Sequence, residues 1–325
     1  MSKAPVICLI IVGILVGLLL LAVLLTPNFV FHFLFDRPSR SKKIPKYYVG
    51  TPHYKVSRAG MAKMENMANE DHYIVSRDGL KLHGYLFPTE QESKKFVIGV
   101  HGYRSYARPE CAPYVEFYHD LGFHMLMVDD RAHAPSEGDY IGFGVLDRLD
   151  VVDWCKYLVK TYGEDIEILL HGVSMGGATV LAASGEEDLP GQVIGITSDC
   201  GFSSPREILT YQLQEAAHLP GKLLMPRIQK LWERKIGGEM DAYAAINQVK
   251  KAKVPILFVQ GMKDTMVPPC MVDELYEACA SRKRVLKVAE AGHGESIAFE
   301  PDQYHQAIIE HFSLSQGEKM PVAKK

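Results

Sequence analysis

Short apolar segments recur along this chain, and longer stretches with a helical pattern separate them. Residues 96–100 form an almost continuous apolar run, which is typical of a strand buried on both faces of a sheet. The best helical pattern lies at residues 145–162, where apolar residues recur every three or four positions. This alternation predicts an α/β fold with a mostly parallel sheet and helices on both faces. The further strand-like segments are residues 123–128, 166–170, 193–197, 256–259 and 285–288.

Two intervals depart from that rhythm. Residues 73–76 and 80–87 flank an Arg-Asp-Gly turn at residues 77–79, which predicts an antiparallel hairpin. Residues 204–245 contain no strand-like segment and are rich in leucine and aromatic residues. We interpret residues 204–245 as a helical lid over the carboxyl ends of the strands. An ordinary long crossover is the alternative.

The N-terminus carries a long apolar stretch. Every residue from Val6 to Leu25 is apolar apart from two glycines. A helix of about 20 residues rises about 30 Å, which matches the hydrocarbon core of a bilayer. The sequence therefore predicts one transmembrane helix, with residues 1–35 as an N-terminal anchor. A cleaved signal peptide is the alternative, but its apolar region is usually about 7–15 residues and is followed by a small-residue cleavage site.

Basic residues are placed unevenly around this apolar stretch. Only Lys3 precedes it, and five basic residues follow it within residues 36–46. The positive-inside rule therefore favours a cytoplasmic C-terminal domain. A signal anchor with a short basic N-terminus can also export a large domain, so both orientations remain open. The five residues are Arg37, Arg40, Lys42, Lys43 and Lys46.

The composition excludes several classes of protein. The chain has 325 residues, a net charge of −3 and a hydrophobic content of 47%, which excludes wholesale disorder. The nearly balanced charge gives no electrostatic reason to expect a nucleic-acid partner. The six cysteines form neither a CxxC metal pattern nor a dense disulfide framework, and we predict free thiols. They are Cys8, Cys111, Cys155, Cys200, Cys270 and Cys279.

A Gly-x-Ser-x-Gly sequence stands between a predicted strand and a predicted helix. It runs from Gly172 to Gly176 and places Ser174 at its centre. At such a junction the glycines permit the tight, strained turn that exposes a nucleophilic serine. We therefore predict that Ser174 is the nucleophile of a hydrolase. The alternative is a glycine-rich turn with a solvated serine.

A serine hydroxyl needs a base to become a nucleophile, and the base needs an orienting acid. In this arrangement the acid and then the histidine follow the serine along the chain. Asp264 lies just beyond the strand at residues 256–259, and His293 follows the strand at residues 285–288. Asp199 also follows a strand and is the rival for the role of acid. We prefer Asp264 because of its Gly-x-x-Asp-x-x-Val-Pro setting.

The oxyanion of the tetrahedral intermediate needs fixed N–H donors. We predict that the amide of Met175, directly after the nucleophile, is one of them. The second is assigned to the amide of Tyr103, because Gly102 lets the backbone turn back toward the serine. His101 is predicted to hold this loop rather than to take part in the chemistry.

These motifs together resemble those of the α/β-hydrolases over residues 73–312. The sequence is most similar to bacterial single-pass members related to the serine aminopeptidase S33 and acylglycerol-lipase branch. The resemblance implies an eight-stranded sheet, a Ser174–His293–Asp264 triad, no metal or organic cofactor, and ester, thioester or amide substrates. The motifs are His101-Gly102, Asp129-x-Arg131-Ala132-His133-Ala134-x-Ser136-x-Gly138, residues 172–176, Gly261-x-x-Asp264-x-x-Val267-Pro268 and Gly292-His293.

Composition and periodicity predict the rest of the domain organisation. A connector at residues 36–70 precedes an α/β-hydrolase domain at residues 71–314, which contains the lid, and residues 315–325 form a flexible tail. Many members of the group have glycines where this chain has Ala132 and Ala134. We therefore expect both alanines to keep φ below zero. The polar residues of the same motif are expected to form a structural network: Arg131, His133 and Ser136.

Three functions are compatible with these observations. The first is a membrane-anchored serine hydrolase that cleaves carboxylic esters of the acyl ester or lysophospholipid kind, with carboxylesterase-like or lipase-like activity. The second is a serine peptidase or aminopeptidase on short peptides, which would need an acidic residue such as Glu207 or Glu215 to hold a free amino group. The third is a catalytically idle scaffold that binds a ligand or partner.

Overall fold

The computed structural model describes residues 25–38 and 49–314. The predicted transmembrane stretch therefore lies outside the described residues, apart from Leu25 at its end. Part of the connector and the tail at residues 315–325 also lie outside them. Within the described ranges, no helix is long and apolar enough to cross a membrane.

Eight strands form one sheet, in the order β1-β2-β4-β3-β5-β6-β7-β8. β2 pairs with β1 and with β4 in antiparallel fashion, and all other neighbours are parallel. The predicted eight-stranded, mostly parallel sheet is therefore confirmed, and so is the antiparallel hairpin. The strands are β1 (Glu70–Val75), β2 (Lys81–Phe87), β3 (Lys95–Val100), β4 (Phe123–Asp129), β5 (Glu167–Val173), β6 (Val193–Asp199), β7 (Ile256–Gly261) and β8 (Lys283–Val288).

Helices connect the strands and cover both faces of the sheet. In the described part of the chain we number residues 25–35 as α1. The others are α2 (Pro52–Met64), α3 (Ala107–Cys111), α4 (Val115–Asp120), α5 (Asp147–Tyr162), α6 (Met175–Ala183), α7 (Pro205–Glu215), α8 (Gly221–Lys235), α9 (Ala245–Gln248), α10 (Cys270–Ala278), α11 (Ser296–Phe299) and α12 (Pro301–Phe312).

Two apolar layers enclose the sheet. On one face, residues of α5, α6, α9 and α10 pack against the strands, with Trp154 of α5 almost fully buried. On the other face the packing comes from α2, α3, α4 and α12, where Tyr118 and Tyr304 are fully buried. The short central strands are buried on both faces, which is why their sequences read as continuous apolar runs.

The interval without strands folds into the helices α7 and α8. Ser204 begins α7 as an N-cap, since its side chain accepts a hydrogen bond from the amide of Glu207 at 3.1 Å. The apolar sides of α7 and α8 form a third cluster with Met175 and Ala178 of α6. This pair of helices, which we call the cap, therefore packs over the helix that follows Ser174.

The segment α1 is docked on the same cluster. Its buried side contributes Phe31 and Phe35, and the Phe35 ring lies 5.0 Å from that of Trp232 in α8. Just beyond α1, the guanidinium of Arg37 donates hydrogen bonds to the carbonyl oxygens of Ala134 and Ser136, each at 2.7 Å. The described residues before position 39 are thus part of the packed domain.

The expectation that Ala132 and Ala134 keep φ below zero is wrong. Their φ angles are 61° and 43°, which lie in the left-handed region. The loop retains the geometry that glycine would give it, because the amide of Ala132 donates to the carbonyl of Glu137 at 2.9 Å and Arg37 holds the carbonyl of Ala134. A left-handed alanine costs about 1–2 kcal/mol, and these surrounding hydrogen bonds hold the loop in place against that cost.

Candidate active site

Ser174 stands at the sharp turn between β5 and α6. Its backbone has φ 56° and ψ −117°, a strained conformation for a serine. A Cβ atom on Gly172 would overlap the carbonyl oxygen of Gly176, and one on Gly176 would overlap the carbonyl oxygen of Val100. Both glycines are therefore needed to bring the strand and helix so close together, and the turn projects the serine from the end of the sheet.

The structure brings Ser174, His293 and Asp264 together from three separate loops. The Nε2 atom of His293 lies 2.8 Å from the Oγ atom of Ser174. The Nδ1 atom of the same ring lies 2.8 Å from the Oδ2 atom of Asp264. Both contacts have the length of good hydrogen bonds, so the imidazole is oriented to accept the serine proton.

The carboxylate of Asp264 is fully enclosed. Its side chain is 0% exposed. The backbone amides of Met266 and Val267 both donate to Oδ1 at 2.8 Å, and the side-chain amide of Gln260 donates to Oδ2 at 3.1 Å. These donors stabilise the ionised carboxylate and fix its direction toward His293. The sequence Asp264-x-x-Val267-Pro268 encodes this turn.

The environment of His293 favours the protonated ring. Burial by itself lowers the pKa of His293, but the hydrogen bond and charge of Asp264, together with the charges of Glu110 and Asp199, outweigh burial and raise the pKa. The side chain is 20% exposed, so a substrate can approach it. The site thus stabilises the imidazolium that forms when Ser174 loses its proton.

Asp199 lies near this site without contacting the Nδ1 atom of His293, which Asp264 occupies. Asp199 is 0% exposed, and burial raises the pKa of Asp199 to about 7, although the Tyr304 hydroxyl and the charge of His293 act against burial. Its carbonyl oxygen accepts a hydrogen bond from the amide of Ser174 at 2.8 Å. This geometry gives Asp264, rather than Asp199, the position of the orienting acid.

Both residues predicted to supply the oxyanion donors lie beside the serine. Met175 is the first residue of α6, and amides in the first turn of a helix have no intrahelical acceptor. Tyr103 follows Gly102, on which an added Cβ atom would stand only 3.2 Å from the Cβ atom of Ser174. The two amides therefore belong to the loops that border the nucleophile. Their role in binding an oxyanion stays a prediction.

His101 and His133 support the loop that carries Tyr103. Nε2 of His101 accepts a hydrogen bond from the amide of Asp130 at 3.1 Å, and Nε2 of His133 accepts one from the amide of Arg104 at 3.1 Å. Burial lowers the pKa of His133 well below its usual range, which keeps it a neutral acceptor. Both histidines thus act as backbone supports.

The remaining polar residues of the same motif bind other parts of the fold. Two carboxylates pair with the guanidinium of Arg131, that of Asp150 at 2.7 Å and that of Asp78 at 2.9 Å. The hydroxyl of Ser136 donates to the carbonyl of Asp129 at 2.6 Å. These contacts tie the loop after β4 to α5 and to the turn of the hairpin.

Ser174 and His293 open into a cavity of about 370 Å³. Its walls include three residues of the segment at α2, namely Thr51, Tyr54 and Ser57, which no sequence motif placed in the site. The sequence carries one signal of a helix start here, because Thr51 is followed directly by a proline. In the structure Thr51 is the N-cap of α2, and its hydroxyl accepts a hydrogen bond from the amide of Tyr54 at 3.1 Å. The other walls include the loop at residues 102–106 and the loops that carry Asp264 and His293.

The cap contributes no residue to the described lining of this cavity. It contacts the cavity indirectly, because the hydroxyl of Tyr211 donates to the carbonyl of Thr265 at 3.3 Å and the side-chain amide of Gln212 donates to the carbonyl of Met266. Glu207 accepts a hydrogen bond from the hydroxyl of Ser203 at 2.6 Å. Neither Glu207 nor Glu215 lines the cavity; the acidic residues that do are Glu110 and Glu295.

Three side chains at the site have atoms close enough to share a metal ion: Cys200, Asp264 and His293. Both ring nitrogens of His293 already bind Ser174 and Asp264. Burial raises the pKa of Cys200 well above its usual range, which keeps the thiol protonated. The group is therefore better suited to proton transfer between serine and histidine than to metal binding.

One family model and several sequence relatives match this chain. A family model described as Serine hydrolase (FSH1) matches residues 199–294. The protein YqkD of Bacillus subtilis is 28% identical over 251 residues, which cover 76% of this chain and 80% of YqkD. The membrane protein YNL320W of Saccharomyces cerevisiae is 26% identical over 204 residues, covering 62% of this chain and 64% of that protein.

Solved structures agree on the fold. The esterase Pf2001 of Pyrococcus furiosus matches with a TM-score of 0.64 and 24% identity, over 78% of this chain and 94% of that one. An acylaminoacyl peptidase of Pyrococcus horikoshii matches with a TM-score of 0.58 and 15% identity, over 80% of this chain and 45% of that one. The chain therefore has the α/β-hydrolase fold, and the family match supports a serine hydrolase.

Proposed function

We propose that this protein is a membrane-anchored serine esterase that cleaves acyl esters. The observation that carries the proposal is the continuous set of contacts from the Oγ atom of Ser174 through His293 to Asp264, at 2.8 Å each, beside an accessible cavity. A catalytically idle scaffold does not require the strained serine, the imidazole and the enclosed carboxylate to lie within hydrogen-bond distance of one another.

The proposed reaction begins with attack of Ser174 Oγ on the ester carbonyl carbon while Nε2 of His293 takes the hydroxyl proton. The amides of Met175 and Tyr103 hold the resulting oxyanion. When the oxyanion collapses, the alcohol leaves with the proton from His293, and the acyl group remains on Ser174. A water molecule then gives a proton to His293 and attacks the acyl carbon. When this second intermediate collapses, His293 returns the proton to Ser174 Oγ, and the carboxylic acid is released.

The contacts of the carboxylates on the cavity wall favour esters over substrates with a free amine. A peptide with a free amino terminus would need an unengaged carboxylate beside the serine. The carboxylate of Glu110 lies 3.4 Å from Nε2 of His53, and that of Glu295 accepts the amide of Gly292 at 3.0 Å. Both carboxylates on the cavity wall are therefore engaged within the protein. At about 370 Å³ the cavity is also at the small end of ligand pockets, which span about 300–1,000 Å³, and this favours short or medium acyl groups.

A peptidase is the second candidate. It is favoured by the similarity in fold to an acylaminoacyl peptidase. Displacement of His53 or of the Gly292 amide would free one carboxylate for an amino group. The ester and peptide candidates share the same nucleophile and differ in the leaving group and in the contact with Glu110 or Glu295.

The membrane attachment belongs to the same proposal. In sequence the apolar stretch of residues 6–24 leads directly into α1, and the outer face of α1 exposes Leu25, Phe29 and Phe33, which are 56%, 73% and 60% exposed. These residues are spaced four apart, so they lie along one side of the helix. An apolar strip next to a membrane segment suits contact with lipid. The proposed partner is therefore a lipid bilayer, with a cytoplasmic catalytic domain favoured by the charge distribution.

The test is a hydrolysis screen with the full chain in detergent, because α1 packs into the domain and its removal would expose the cap. p-Nitrophenyl esters from acetate to palmitate are compared with aminoacyl p-nitroanilides, using Ser174→Ala as control. We expect turnover of esters with a maximum at short to medium acyl length. Turnover of anilides alone would favour the peptidase, and silence on both with an intact fold would contradict the esterase.

The dependence of ester hydrolysis on pH follows from the environment of His293. Only the neutral imidazole can accept the proton of Ser174, and the pKa of His293 is raised from its usual value of 6.5. We expect kcat/KM to fall about tenfold per pH unit on the acid side of a midpoint above pH 6.5. In Asp264→Asn the midpoint should move to lower pH, since the carboxylate that stabilises the imidazolium is gone. A wild-type midpoint below 6.5 would contradict this account.

A further inference from the structure

A second buried histidine contacts the loop of His293. His53 belongs to α2 and is 1% exposed. Its Nδ1 atom lies 2.6 Å from the carbonyl oxygen of Gly294, the residue directly after His293. Because a carbonyl oxygen can only accept, Nδ1 of His53 carries the hydrogen and donates it. This contact joins two positions that are 241 residues apart in the chain.

A carboxylate faces the other side of the same ring. Glu110 of α3 is 6% exposed, and its Oε1 atom lies 3.4 Å from Nε2 of His53. Burial acts to neutralise both groups. The contact with Glu110, together with the Gly294 carbonyl and the charge of Asp199, outweighs burial and raises the pKa of His53, and the contact with His53, together with Ser105 and the charge of His101, lowers the pKa of Glu110. The two residues form a close buried pair, in which the carboxylate of Glu110 favours the protonated ring of His53.

The helix that carries His53 is fixed to the helix that carries Glu110. The hydroxyl of Ser57 donates to the carbonyl of Pro109 at 2.6 Å. Gly60 packs closely on Ala112, and a Cβ atom added to Gly60 would overlap the carbonyl oxygen of Ala112. Met64 ends α2 with 1% exposure in the apolar layer. His53 is therefore presented to the Gly294 carbonyl from a rigid support.

The loop around His293 needs such a support. Gly292 and Gly294 flank the histidine, and Gly294 has φ 65°. Two glycines give the unfolded or displaced loop a large conformational freedom. Inside the loop, Gly292 is held by the carboxylate of Glu295 at 3.0 Å. On the other side of His293, the described contact to the Gly294 carbonyl is the hydrogen bond from His53.

We propose that His53 is a positioning residue for His293. Its Nδ1–H group holds the carbonyl of Gly294 so that the imidazole of His293 stays within hydrogen-bond distance of Ser174, and Glu110, on the other side of the ring, holds the ring of His53 in this orientation. This role rests on the proposed function, because it concerns the same serine. Displacement of a reacting group by about 1 Å can cost about 100-fold in rate, so loss of this contact is expected to act on kcat.

The test uses three substitutions of different hydrogen-bond geometry. Asparagine in His53→Asn places an amide nitrogen where Nδ1 was, whereas His53→Gln places it where Nε2 was, facing Glu110. His53→Leu removes both donors. We expect kcat for the best p-nitrophenyl ester to fall about 10- to 100-fold in His53→Leu and His53→Gln, with KM changed less than about threefold. His53→Asn should stay within about fivefold of the wild type.

A matched control on the same helix is Lys63→Gln, which breaks the exposed ion pair between Lys63 and Glu116 away from the cavity. It should leave kcat and KM unchanged. If His53→Leu fails to fold, the comparison of His53→Asn with His53→Gln decides, because both retain a polar side chain of similar size. Equal kcat in these two variants, or wild-type kcat in a folded His53→Leu protein, would overturn the positioning role.

The rate of fluorophosphonate labelling of Ser174, measured on the same variants in the full chain, separates this proposal from the assignment of the enzyme. The expected order is wild type and His53→Asn, then His53→Gln and His53→Leu. Labelling of the wild type with no difference among the variants would overturn the positioning role alone. No labelling of the wild type would overturn the serine hydrolase and the positioning role with it.

Discussion

Ser174→Ala is expected to lower kcat for ester hydrolysis by about 10⁶-fold, to the rate that cavity binding and the oxyanion donors alone supply. The reason is that no other hydroxyl stands within reach of Nε2 of His293 among the contacts of the described residues. The measurement is the initial rate of p-nitrophenyl ester hydrolysis by the full chain in detergent, together with labelling by a fluorophosphonate, which should disappear.

The matched control for that substitution is Ser184→Ala. Ser184 follows α6, the same helix that Ser174 precedes, and its hydroxyl donates to the carbonyl of Leu181 at 2.6 Å, away from the cavity. Its loss should leave kcat within about twofold. Retained hydrolysis or labelling in Ser174→Ala, with Ser184→Ala unchanged, would show that another residue is the nucleophile and would contradict the site assignment.

Asp264→Asn is expected to lower kcat by about 10⁴-fold. Its side-chain amide would face Nδ1 of His293 and favour the wrong tautomer, and the imidazolium would lose its partner. Asp199→Asn should cost less than about tenfold, because Asp264 rather than Asp199 contacts the ring. The measurement is kcat of both variants on one ester, with circular dichroism to verify folding. The reverse ranking would assign the acid to Asp199.

Much of the fold and the contacts of the site could be predicted from local sequence. The sheet was predictable because each central strand is buried on both faces and therefore apolar throughout. The order of Ser174, Asp264 and His293 was predictable because each follows a strand, and the carboxyl ends of parallel strands meet at one edge of the sheet. The short segments around these residues also carry their own turn signals.

The rest depends on contacts between distant parts of the chain. Glu110 lies in a short helix whose sequence shows no periodicity, and His53 lies in a stretch that reads as a connector. Nothing local indicates that these two residues meet beside the loop of His293. The φ angles of Ala132 and Ala134 were missed for a similar reason, since Arg37, almost 100 positions away, holds the carbonyl of Ala134.

Because α1 is docked on the domain, the peptide chain is not the only link between residues 25–38 and the catalytic domain. The hydroxyl of Tyr103 donates to the carbonyl of Leu34 at 2.9 Å, the backbone of Ile141 donates to that of Phe35 at 2.7 Å, and Arg37 adds its own hydrogen bonds. Together with the buried phenylalanines, these contacts attach residues 25–38 to the domain by themselves. A protease that cut the chain once between residues 39 and 48 would sever the peptide but not release the enzyme. We expect the fragment before the cut to stay bound to the domain, as the two halves of a nicked protein do. If that fragment is anchored in a bilayer, the catalytic domain would stay at the bilayer as well.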